Sequence, residues 1–418
     1  MDALMLPSNW QRVRLGDMTT SFTKQTGFDY SASIKPTLIK EQLPNYIPFI
    51  QNKDFLGHYI NYKTDYFIPN EIAIRFPQIL LNEKCLLISI SGAIGNVAVF
   101  NHSQNAFIGG AIAVLKFKEK KSLDFVMHFL ISASGQKLLL NSVKSSSHKN
   151  LTIADLRVLL IPLPPLDEQI AIANILSDLD RYLCALRALI LKKESVKKAL
   201  SFELLSQRKR LKGFNQAWQR VRLGDIGITI SGLAGKTKQD FINGNAKYIT
   251  FLNVLNNVII DTSILENVKI YPNEKQNSFK KYDLFFNTSS ETPKEVGMCA
   301  VLLDDIDQVF LNSFCFGFRI FDKAVDSLFL SYLINSEIGR KAFENLAQGS
   351  TRYNLSKSGF NNVCLILPPL NEQIAIANIL SALDKEIESL KNKKRQFENI
   401  KKALNHDLMS AKIRVLKK

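Results

Sequence analysis

The stretch LPPLDEQIAIANILSDLD, residues Leu163–Asp180, occurs again as LPPLNEQIAIANILSALD at Leu367–Asp384. In each copy a proline pair, through which a helix cannot continue, precedes a polar residue and then apolar residues at three- and four-residue steps. This order predicts that a long helix begins after each proline pair, with Asp167 and Asn371 as the N-cap residues. The chain therefore contains the same helix start twice.

The duplication extends beyond these helix starts. WQRVRLGDM at Trp10–Met18 returns as WQRVRLGDI at Trp218–Ile226, and SSSHKNLT at Ser145–Thr152 aligns with GSTRYNLS at Gly349–Ser356. A period of about 205 residues is too long for a solenoid repeat, so the 418 residues indicate a tandem duplication of a whole unit. A chain of this length is also expected to form two or more domains.

An apolar seam follows each repeated helix start. Its spacing is typical of a coiled coil and predicts helices of about 40 residues, each about 60 Å long, the first of them ending with Gly213 as C-cap. An isolated seam of this length would leave its apolar stripe in water, so we expect the two helices to pair as an antiparallel coiled coil. The predicted seam residues are Ile172, Ile175, Leu179, Leu186 and Leu189 in the first helix, and Ile376, Ile379, Leu383, Leu390 and Phe397 in the second.

The part of each unit that precedes the long helix has a mixed α/β pattern. The apolar runs KCLLISI, NVAVF and AIAVLKF predict strands, and the segments Ser122–Leu140 and Ser327–Leu346 predict helices. The expected fold class is α/β (mixed α+β), with two pseudo-twofold-related globular domains joined by the antiparallel pair of long helices. The predicted boundaries are 1–163 for the first globular domain, 164–212 for the first helix region, 213–367 for the second globular domain and 368–418 for the second helix region.

The net charge of +16 is concentrated in two places. Residues 181–212 carry ten basic and two acidic side chains, and residues 385–418 carry eleven and four, so the segments after the repeated motif hold almost the whole excess. Solvated helix faces explain most charge runs of this kind. Confinement to two equivalent places favours a role near phosphates or an acidic protein surface.

Cysteine usage and hydropathy indicate the compartment. The five cysteines are scattered and never spaced as CxxC, which is typical of reduced thiols and not of a disulfide frame or a zinc site. The opening MDALMLPSNW has no apolar run of signal-peptide length, and no stretch approaches the roughly eighteen apolar residues of a membrane span. We expect a cytoplasmic protein that does not cross a membrane.

The motifs of catalysis are incomplete in this sequence. ISGLAGKT at Ile230–Thr237 has isoleucine at the first glycine position of a P-loop, and the acid-x-lysine pair at Glu119–Lys121 lacks the preceding acid of a metal-dependent nuclease. The proline pairs occur only in LPPL, and not in the N/D-P-P-Y/F/W loop of an amino-methyltransferase. The histidines are isolated, without HExxH or another ligand spacing. We therefore expect a binding protein with no catalytic residue, no metal site and no cofactor of its own.

The chain has two unlike α/β domains. Each opens with W-x-x-V-x-L-G-D and closes with L-P-P-L-x-E-Q-x-x-I before a long helix. This arrangement resembles the specificity (S, or HsdS) subunit of type I restriction–modification systems. The resemblance covers nearly the whole chain. It implies that each globular part is a target recognition domain for one half of a bipartite sequence in double-stranded DNA. It also implies that the long helices are spacer regions that set the separation of the half-sites.

The same resemblance implies the partners. Two methyltransferase subunits would dock on the long helices, and restriction subunits would join through that complex. S-adenosylmethionine, ATP and magnesium would then belong to these partners and not to this chain.

Polar and basic loops at equivalent positions of the two copies are the predicted DNA contacts. Arg352 suits a guanine edge, and Asn150 and Asn354 suit adenine edges. The alternative for each is a solvated or phosphate-touching side chain, and the two asparagines also suit the start of a turn. For Trp10 and Trp218 we favour core packing over base stacking. The predicted contacts are Ser91, Asn96, Lys144, Ser146, His148, Lys149 and Asn150 in the first copy, and Thr288, Ser289, Lys294, Ser350, Thr351, Arg352, Tyr353 and Asn354 in the second.

Two alternative functions stay open at this point. A coiled-coil scaffold that binds proteins without DNA specificity would show no steep salt dependence of DNA binding in its assembled complex. A cryptic nuclease is less favoured because its motif is incomplete, and metal-dependent cleavage by the isolated chain would reveal it.

Overall fold

The computed structural model describes residues 7–142, 150–344, 346, 349 and 352–415. The chain divides into unit 1, which is Met1–Arg187 with Lys393–Lys418, and unit 2, which is Ala188–Asn392. Each unit therefore holds one globular part and a segment of each long helix. The division falls within the long helices, whereas the boundaries predicted from the sequence were placed before and after them.

Unit 1 is built on a four-stranded antiparallel sheet, here called the main sheet of unit 1. Its strands, in spatial order, are Thr19–Lys24, Ile112–Phe117, Cys85–Ser89 and Val97–Phe100. A second four-stranded sheet contains, in spatial order, Phe67–Pro69, Tyr46–Ile50, Ala106–Ile108 and Leu80–Leu81. A small hairpin pairs Phe55–Leu56 with Tyr59–Ile60.

The main sheet of unit 1 is apolar on both faces. On one face Leu86 and Ile88 pack with helix residues such as Phe125, and on the other face Cys85 and Leu87 pack with the second sheet. Burial of both faces explains why residues 85–88 of the predicted strand KCLLISI are all apolar.

Unit 2 repeats the arrangement with the same strand order. The main sheet of unit 2 contains, in spatial order, Gly227–Ser231, Cys315–Ile320, Leu284–Asn287 and Cys299–Val301. Its second sheet has three strands, which are Glu266–Val268, Ala246–Ile249 and Val309–Leu311. A short pair joins Ser289–Ser290 to Tyr353–Asn354.

The helices of the globular parts are short. Unit 1 has the α-helices Gly27–Asp29, Asn70–Ala73, Leu123–Ile131, Ala133–Asn141 and Ile153–Arg157, and a π-helix at Tyr30–Ile34. Unit 2 has the α-helices Leu223–Ile226, Phe251–Asn256, Ser327–Asn335, Glu337–Glu344 and Lys357–Asn361.

Each helix predicted around Ser132 and Ser336 is two helices, so the prediction of a single helix is wrong in both units. Both serines have extended backbone angles, and the Ser132 hydroxyl accepts a hydrogen bond from the N–H of Gly135 at 3.1 Å. A β-carbon at Gly135 would lie 2.1 Å from the carbonyl oxygen of Phe129. Glycine is therefore required where the second helix folds back on the first.

The repeated WQRVRLGD segments form matched strand pairs. Gln11–Arg14 pairs with Leu160–Leu163, and Gln219–Arg222 pairs with Cys364–Leu367, both antiparallel. In both units the glutamine faces the leucine that precedes the proline pair. Each globular part therefore begins and ends at the same point, next to the start of a long helix.

The two tryptophans pack in the cores. Trp10 is buried, and its ring meets that of Phe125 edge to face at 6.3 Å. Trp218 packs in the same way against Phe329 at 6.4 Å. The preference for core packing is confirmed.

The two long helices are Leu166–Leu205, here the first long helix, and Leu370–Met409, here the second long helix, each of 40 residues. Each begins one residue before the predicted N-cap. Asp167 and Asn371 therefore lie in the first turn, where the carboxylate of Asp167 is favourable beside the unpaired N–H groups.

The predicted C-cap at Gly213 is wrong, because the first long helix ends at Leu205. Gln207 adopts the left-handed conformation there, with φ of 62°, and the N–H of Lys209 donates to the carbonyl of Glu203 at 3.1 Å. The N–H of Gln207 also donates to the carbonyl of Leu204 at 3.4 Å, which is a bond of the usual left-handed helix end, formed here without glycine.

The two long helices pack against each other in antiparallel orientation within each unit, as predicted. Partner numbers on the second helix fall as those on the first rise. The ion pairs are Asp180–Lys401 and Arg187–Glu398 in unit 1, and Lys193–Glu386 and Lys197–Asp384 in unit 2.

The seam differs in part from the prediction. Ile175 and Leu189 are exposed, whereas Leu176, Leu183 and Ile190 are buried. In the first long helix the seam residues are spaced by four and three residues in alternation. The prediction was one residue too early at two positions, with Ile175 in place of Leu176 and Leu189 in place of Ile190. Of the remaining predicted seam residues, Ile172, Leu186 and Ile376 are buried, and Leu179, Ile379, Leu383, Leu390 and Phe397 are half-buried.

The glutamate of the repeated motif binds an arginine that follows the other long helix. Glu168 accepts two hydrogen bonds from Arg414 in unit 1, at 2.6 and 2.8 Å. Glu372 accepts two from Arg210 in unit 2, one of them at 3.1 Å. Both glutamates are buried, so each pair fixes the start of one helix to the end of the other.

The glutamine of the motif holds the proline pair. Gln169 donates to the carbonyl of Pro164, and Gln373 donates to the carbonyl of Pro368, each at 2.7 Å. The chain turn before each long helix is thereby fixed by a side chain of that helix.

No helix in the described part of the chain has both the length and the apolar character needed to cross a lipid bilayer.

Candidate nucleic-acid interface

The candidate interface of unit 1 lies at one end of its main sheet. Because neighbouring strands are antiparallel, Thr19–Lys24 and Cys85–Ser89 end where Ile112–Phe117 begins. The loops after Lys24 and Ser89 and the loop before Ile112 therefore meet at the same sheet end. We call this the loop end of unit 1.

Predicted contacts of the first copy come together at this loop end. Ser91 forms an isolated β-bridge with Asn150, and the N–H of Leu151 donates to the carbonyl of Ile90 at 2.9 Å. Asn96 is exposed on the same loop, and its N–H donates to the Ser89 hydroxyl at 2.9 Å. The predicted contacts Lys144, Ser146, His148 and Lys149 lie outside the described residues.

The loop end of unit 2 has the same construction. Ser289 pairs with Asn354, and the N–H of Leu355 donates to the carbonyl of Thr288 at 2.8 Å. These residues correspond to Ser91, Asn150, Leu151 and Ile90 of unit 1, which matches the alignment of SSSHKNLT with GSTRYNLS. The Ser289 side chain is buried, so it presents little surface to a ligand.

The two asparagines of this alignment also precede capped turns. Thr152 accepts a hydrogen bond from the N–H of Asp155 at 3.1 Å, and Ser356 accepts one from the N–H of Gly359 at 3.0 Å. These hydroxyls cap the helices Ile153–Arg157 and Lys357–Asn361. The side chains of Asn150 and Asn354 are exposed beside these caps.

A matched side chain braces the loop in each unit. Gln136 donates to the carbonyl of Gly95 at 2.9 Å, and Arg340 donates to the carbonyl of Gly297 at 2.9 Å. Both glycines have positive φ, 86° and 72°. The backbone frame of the loop end is therefore repeated even where the bracing residue differs.

The exposed side chains of the loop end of unit 2 are basic and aromatic. The guanidinium of Arg352 lies over the exposed ring of Phe314, 5.5 Å from its centre. Lys294 and Asn354 are exposed, and Lys357 donates to the Ser231 hydroxyl at 2.8 Å. A guanidinium stacked on an aromatic ring keeps its edge free for an anion or a base.

The other predicted contacts of the second copy lie around this cluster. Thr288 is half-buried, and its hydroxyl donates to the carbonyl of Phe314 at 2.8 Å. Tyr353 is half-buried and pairs with Ser290. Ser350 and Thr351 lie outside the described residues.

Positive charge also reaches the loop end of unit 1. Lys24 is exposed at the end of its strand, and Lys53 lines a cavity with Gly109 and Gly110. A hydrogen bond to Asp65 raises the pKa of Lys53, and the Asp65 carboxylate balances the charge of this ammonium.

Several residues of the two loop ends were missed by reasoning from the sequence. They are Lys24, Gln25 and Asn52 in unit 1, and Phe314 and Lys357 in unit 2. Lys357 lies only three residues after the predicted contact Asn354. The other four come from other strands and loops, and pairing between strands distant in sequence brings them to the loop ends, so no local motif could identify those four.

Among the described residues, no group of three or more His, Cys, Asp or Glu side chains is placed to hold a metal ion.

Comparison with known proteins gives consistent results. The family model described as "Type I restriction modification DNA specificity domain" matches residues 7–194 and 215–399. The chain is 27% identical over 432 residues to the type I restriction enzyme MjaVIII specificity subunit of Methanocaldococcus jannaschii, covering 99% of this chain and 95% of that protein.

Solved structures show the same fold. The chain is similar to a crystal structure of the S subunit of a type I restriction-modification system from M. genitalium, with a TM-score of 0.62, 17% identity and 96% of each chain covered. It is also similar to a chain from a structure that addresses complex assembly and conformational transition of the type I R-M system. That match has a TM-score of 0.52 and 15% identity, and covers 97% of this chain and 98% of the other.

Proposed function

Because the chain belongs to the type I restriction-modification DNA specificity family, we propose that it is the subunit that reads an asymmetric, bipartite sequence in double-stranded DNA. Unit 1 reads one half of the sequence, and unit 2 reads the other half. The contacts lie at the loop end of each unit.

One observation carries this proposal: the two loop ends share a backbone frame but differ in their exposed side chains. The frame consists of the matched pairs Ser91–Asn150 and Ser289–Asn354. On that frame unit 1 exposes Asn96, whereas unit 2 exposes Lys294 and places Arg352 over Phe314. Base edges are read by side chains and not by the common backbone, so unlike side chains on one frame suit two unlike half-sites.

We propose that the long helices dock two methyltransferase subunits, and that restriction subunits join through them. Exposed apolar side chains on the first long helix support a protein partner, because such side chains favour burial. They include Leu191, 63% exposed, and Val196, 45% exposed. S-adenosylmethionine, ATP and magnesium belong to these partners, and the complex works in the cytoplasm.

We propose that the chain itself is not catalytic. Its role is to position the methyltransferase subunits on one DNA sequence. This assignment rests on family membership and on the incomplete catalytic motifs of the sequence.

The test uses the complex of this chain with the methyltransferase subunits of its own system. We expect methylated adenines in a single bipartite motif when genomic DNA from cells that make the complex is mapped. Binding of a duplex with that motif should weaken steeply with salt, because each neutralised phosphate releases counterions.

Two results would contradict the proposal. Methylation without a motif, or complex binding without salt dependence, would favour a protein-interaction scaffold. Metal-dependent DNA cleavage by the isolated chain, lost on adding a chelator, would favour a nuclease.

A further inference from the structure

Gln25 has a buried carboxamide without a hydrogen-bond partner in the part of the chain that the structure describes. The side chain is 3% exposed, and neither its Nε2 nor its Oε1 meets a hydrogen-bond partner among the described residues. A buried amide normally satisfies both its donor and its acceptor, because leaving them unpaired costs free energy. An unpaired glutamine therefore indicates a partner that is not part of the described chain.

The position of Gln25 indicates where that partner binds. Gln25 follows the strand Thr19–Lys24 directly, at the loop end of unit 1. It lines a cavity of about 540 Å³ together with Ser91, Gly110 and Asn150. Two of these residues, Ser91 and Asn150, were predicted as DNA contacts from the sequence alone.

Gly110 leaves the carboxamide close to the protein surface. Gly110 is exposed, and a β-carbon built on it would lie 3.5 Å from Oε1 of Gln25. Any other residue at this position would place its side chain over the amide. Since the amide has no hydrogen bond among the described residues, rotating it toward the cavity breaks none.

A second amide lies on the other side of Gly110. Asn52 and Gly110 line an adjoining cavity of about 300 Å³. Asn52 donates from Nδ2 to the carbonyl of Ser91 at 2.6 Å, and its Oδ1 is buried without a partner among the described residues. The bond to Ser91 fixes the orientation of this amide and leaves one acceptor unused.

The charges at this site suit a nucleic acid. Lys24 is exposed beside Gln25, whereas Lys53, which follows Asn52, forms an ion pair with Asp65. An exposed lysine beside neutral amides matches a ligand that has phosphates outside and base edges inside. A donor and an acceptor on one planar group match the N7 and N6 atoms of adenine, which Gln and Asn read with two bonds.

We propose, resting on the function proposed above, that Gln25 reads an adenine in the half-site bound by unit 1. Its carboxamide turns into the cavity and forms two hydrogen bonds with the major-groove edge of that base. Gln25 is thus a specificity-determining residue, and Asn52 is the nearest supporting amide.

The test compares variants within the complete methyltransferase complex. Gln25→Met keeps the length of the side chain and removes both polar atoms. Gly110→Ala adds a β-carbon at ordinary contact distance from Gln25 Oε1, so it covers the amide without disturbing the fold. Gln169→Met is the matched control, because Gln169 is a buried glutamine of the same unit that holds Pro164.

Two quantities are measured for each complex. One is the methylation rate on duplexes that carry each single-base change in the half-site assigned to unit 1 by domain replacement. The other is the melting temperature.

At one position of the half-site, the wild-type complex should methylate a duplex with the preferred A·T pair faster than duplexes with other pairs. We expect Gln25→Met to lower this ratio of methylation rates by roughly tenfold to hundredfold. Its preference at the other half-site should be unchanged. Its melting temperature should not fall, because Gln25 has no hydrogen bond to any described residue that the substitution could remove. Gly110→Ala should lose preference at the same base pair. Gln169→Met should lower the melting temperature and leave the sequence preference unchanged.

The inference is overturned if Gln25→Met keeps full discrimination at every position of that half-site. It is also overturned if Gln25→Met lowers the melting temperature as Gln169→Met does, since Gln25 would then have a structural partner. A wild-type complex that methylates without any motif would instead overturn the proposed function itself. The two failures are therefore distinguishable.

Discussion

At the scale of single residues, His128 is the clearest case of a side chain whose state the fold determines. It is fully buried in unit 1, and its Nε2 lies 3.0 Å from the hydroxyl of Ser177. Burial lowers the pKa of His128 to about 3, against 6.5 for an unperturbed histidine. The folded protein therefore holds this ring neutral at every physiological pH.

Acid should destabilise unit 1 through this residue. Between pH 6.5 and 3, His128 is protonated in the unfolded chain but stays neutral in the folded protein. The free energy of unfolding therefore falls as the pH falls through this window. We expect His128→Gln, which stays neutral, to lose about 2 kcal/mol less stability than the wild type between pH 7 and 5. Urea denaturation at a series of pH values measures the difference. Equal pH slopes for the two proteins would show that His128 does not titrate on unfolding.

Asp180, a titratable group near His128, also makes the folded protein less stable in acid. Burial raises the pKa of Asp180, but hydrogen bonds from His58 and Lys401 outweigh burial and leave that pKa below its usual value. Stability from Asp180 is present above the unfolded pKa and is lost as the pH falls through the folded one. Because this contribution is common to the wild type and His128→Gln, comparing them isolates the histidine.

Single residues were the hardest features to predict from the sequence. The apolar pattern identified Trp10 as a core residue, because burial follows hydrophobicity. Nothing local distinguished Gln25 from a surface glutamine, since its burial results from loops that are more than sixty residues away in sequence, at Ser91 and Gly110. Polar residues in a site assembled from distant loops carry no periodic signal.

At the scale of elements, the repeated LPPLxEQ motif is explained by the contacts of its own side chains. The prolines prevent an earlier helix start, and Gln169 holds the carbonyl of Pro164. Glu168 binds Arg414, which follows the other long helix. The motif is repeated because each long helix needs the same start and the same connection to the end of its partner.

Removing one of these connections should destabilise its unit. We expect Glu168→Gln to lower the free energy of unfolding by about 1–3 kcal/mol, because Arg414 loses a charged acceptor that is 2% exposed. The matched control is Glu398→Gln, whose pair with Arg187 is largely exposed and should contribute less than about 1 kcal/mol. Urea denaturation of both variants gives the comparison. If the control lost as much stability as Glu168→Gln, the motif glutamate would have no special structural role.

Elements were predicted well where the signal is periodic and poorly where it depends on close packing. The seam spacing predicted both long helices and their antiparallel pairing, because an apolar stripe of that length requires a partner. The split at Ser132 was missed, because it depends on how closely Gly135 approaches Phe129. The errors at Ile175 and Leu189 arise because several apolar residues per turn compete for the seam, and only the packed structure selects among them.

At the scale of the whole chain, the duplication separates what is common from what is specific. The repeated segments form the strand pairs Gln11–Arg14 with Leu160–Leu163 and Gln219–Arg222 with Cys364–Leu367, which frame each globular part. The residues between those strands diverge and supply the loop ends. The fold class was predictable because the repeat is nearly letter for letter, whereas the target bases depend on the diverged residues.

The measurement that tests this account most directly is a domain replacement. Residues 10–163 would be replaced by the equivalent residues of a relative whose complex methylates a different sequence, and methylated adenines would be mapped in cells that make the hybrid complex. The account predicts that one half of the bipartite motif changes to that of the donor while the other half is retained. A change in both halves, or in neither, would contradict it.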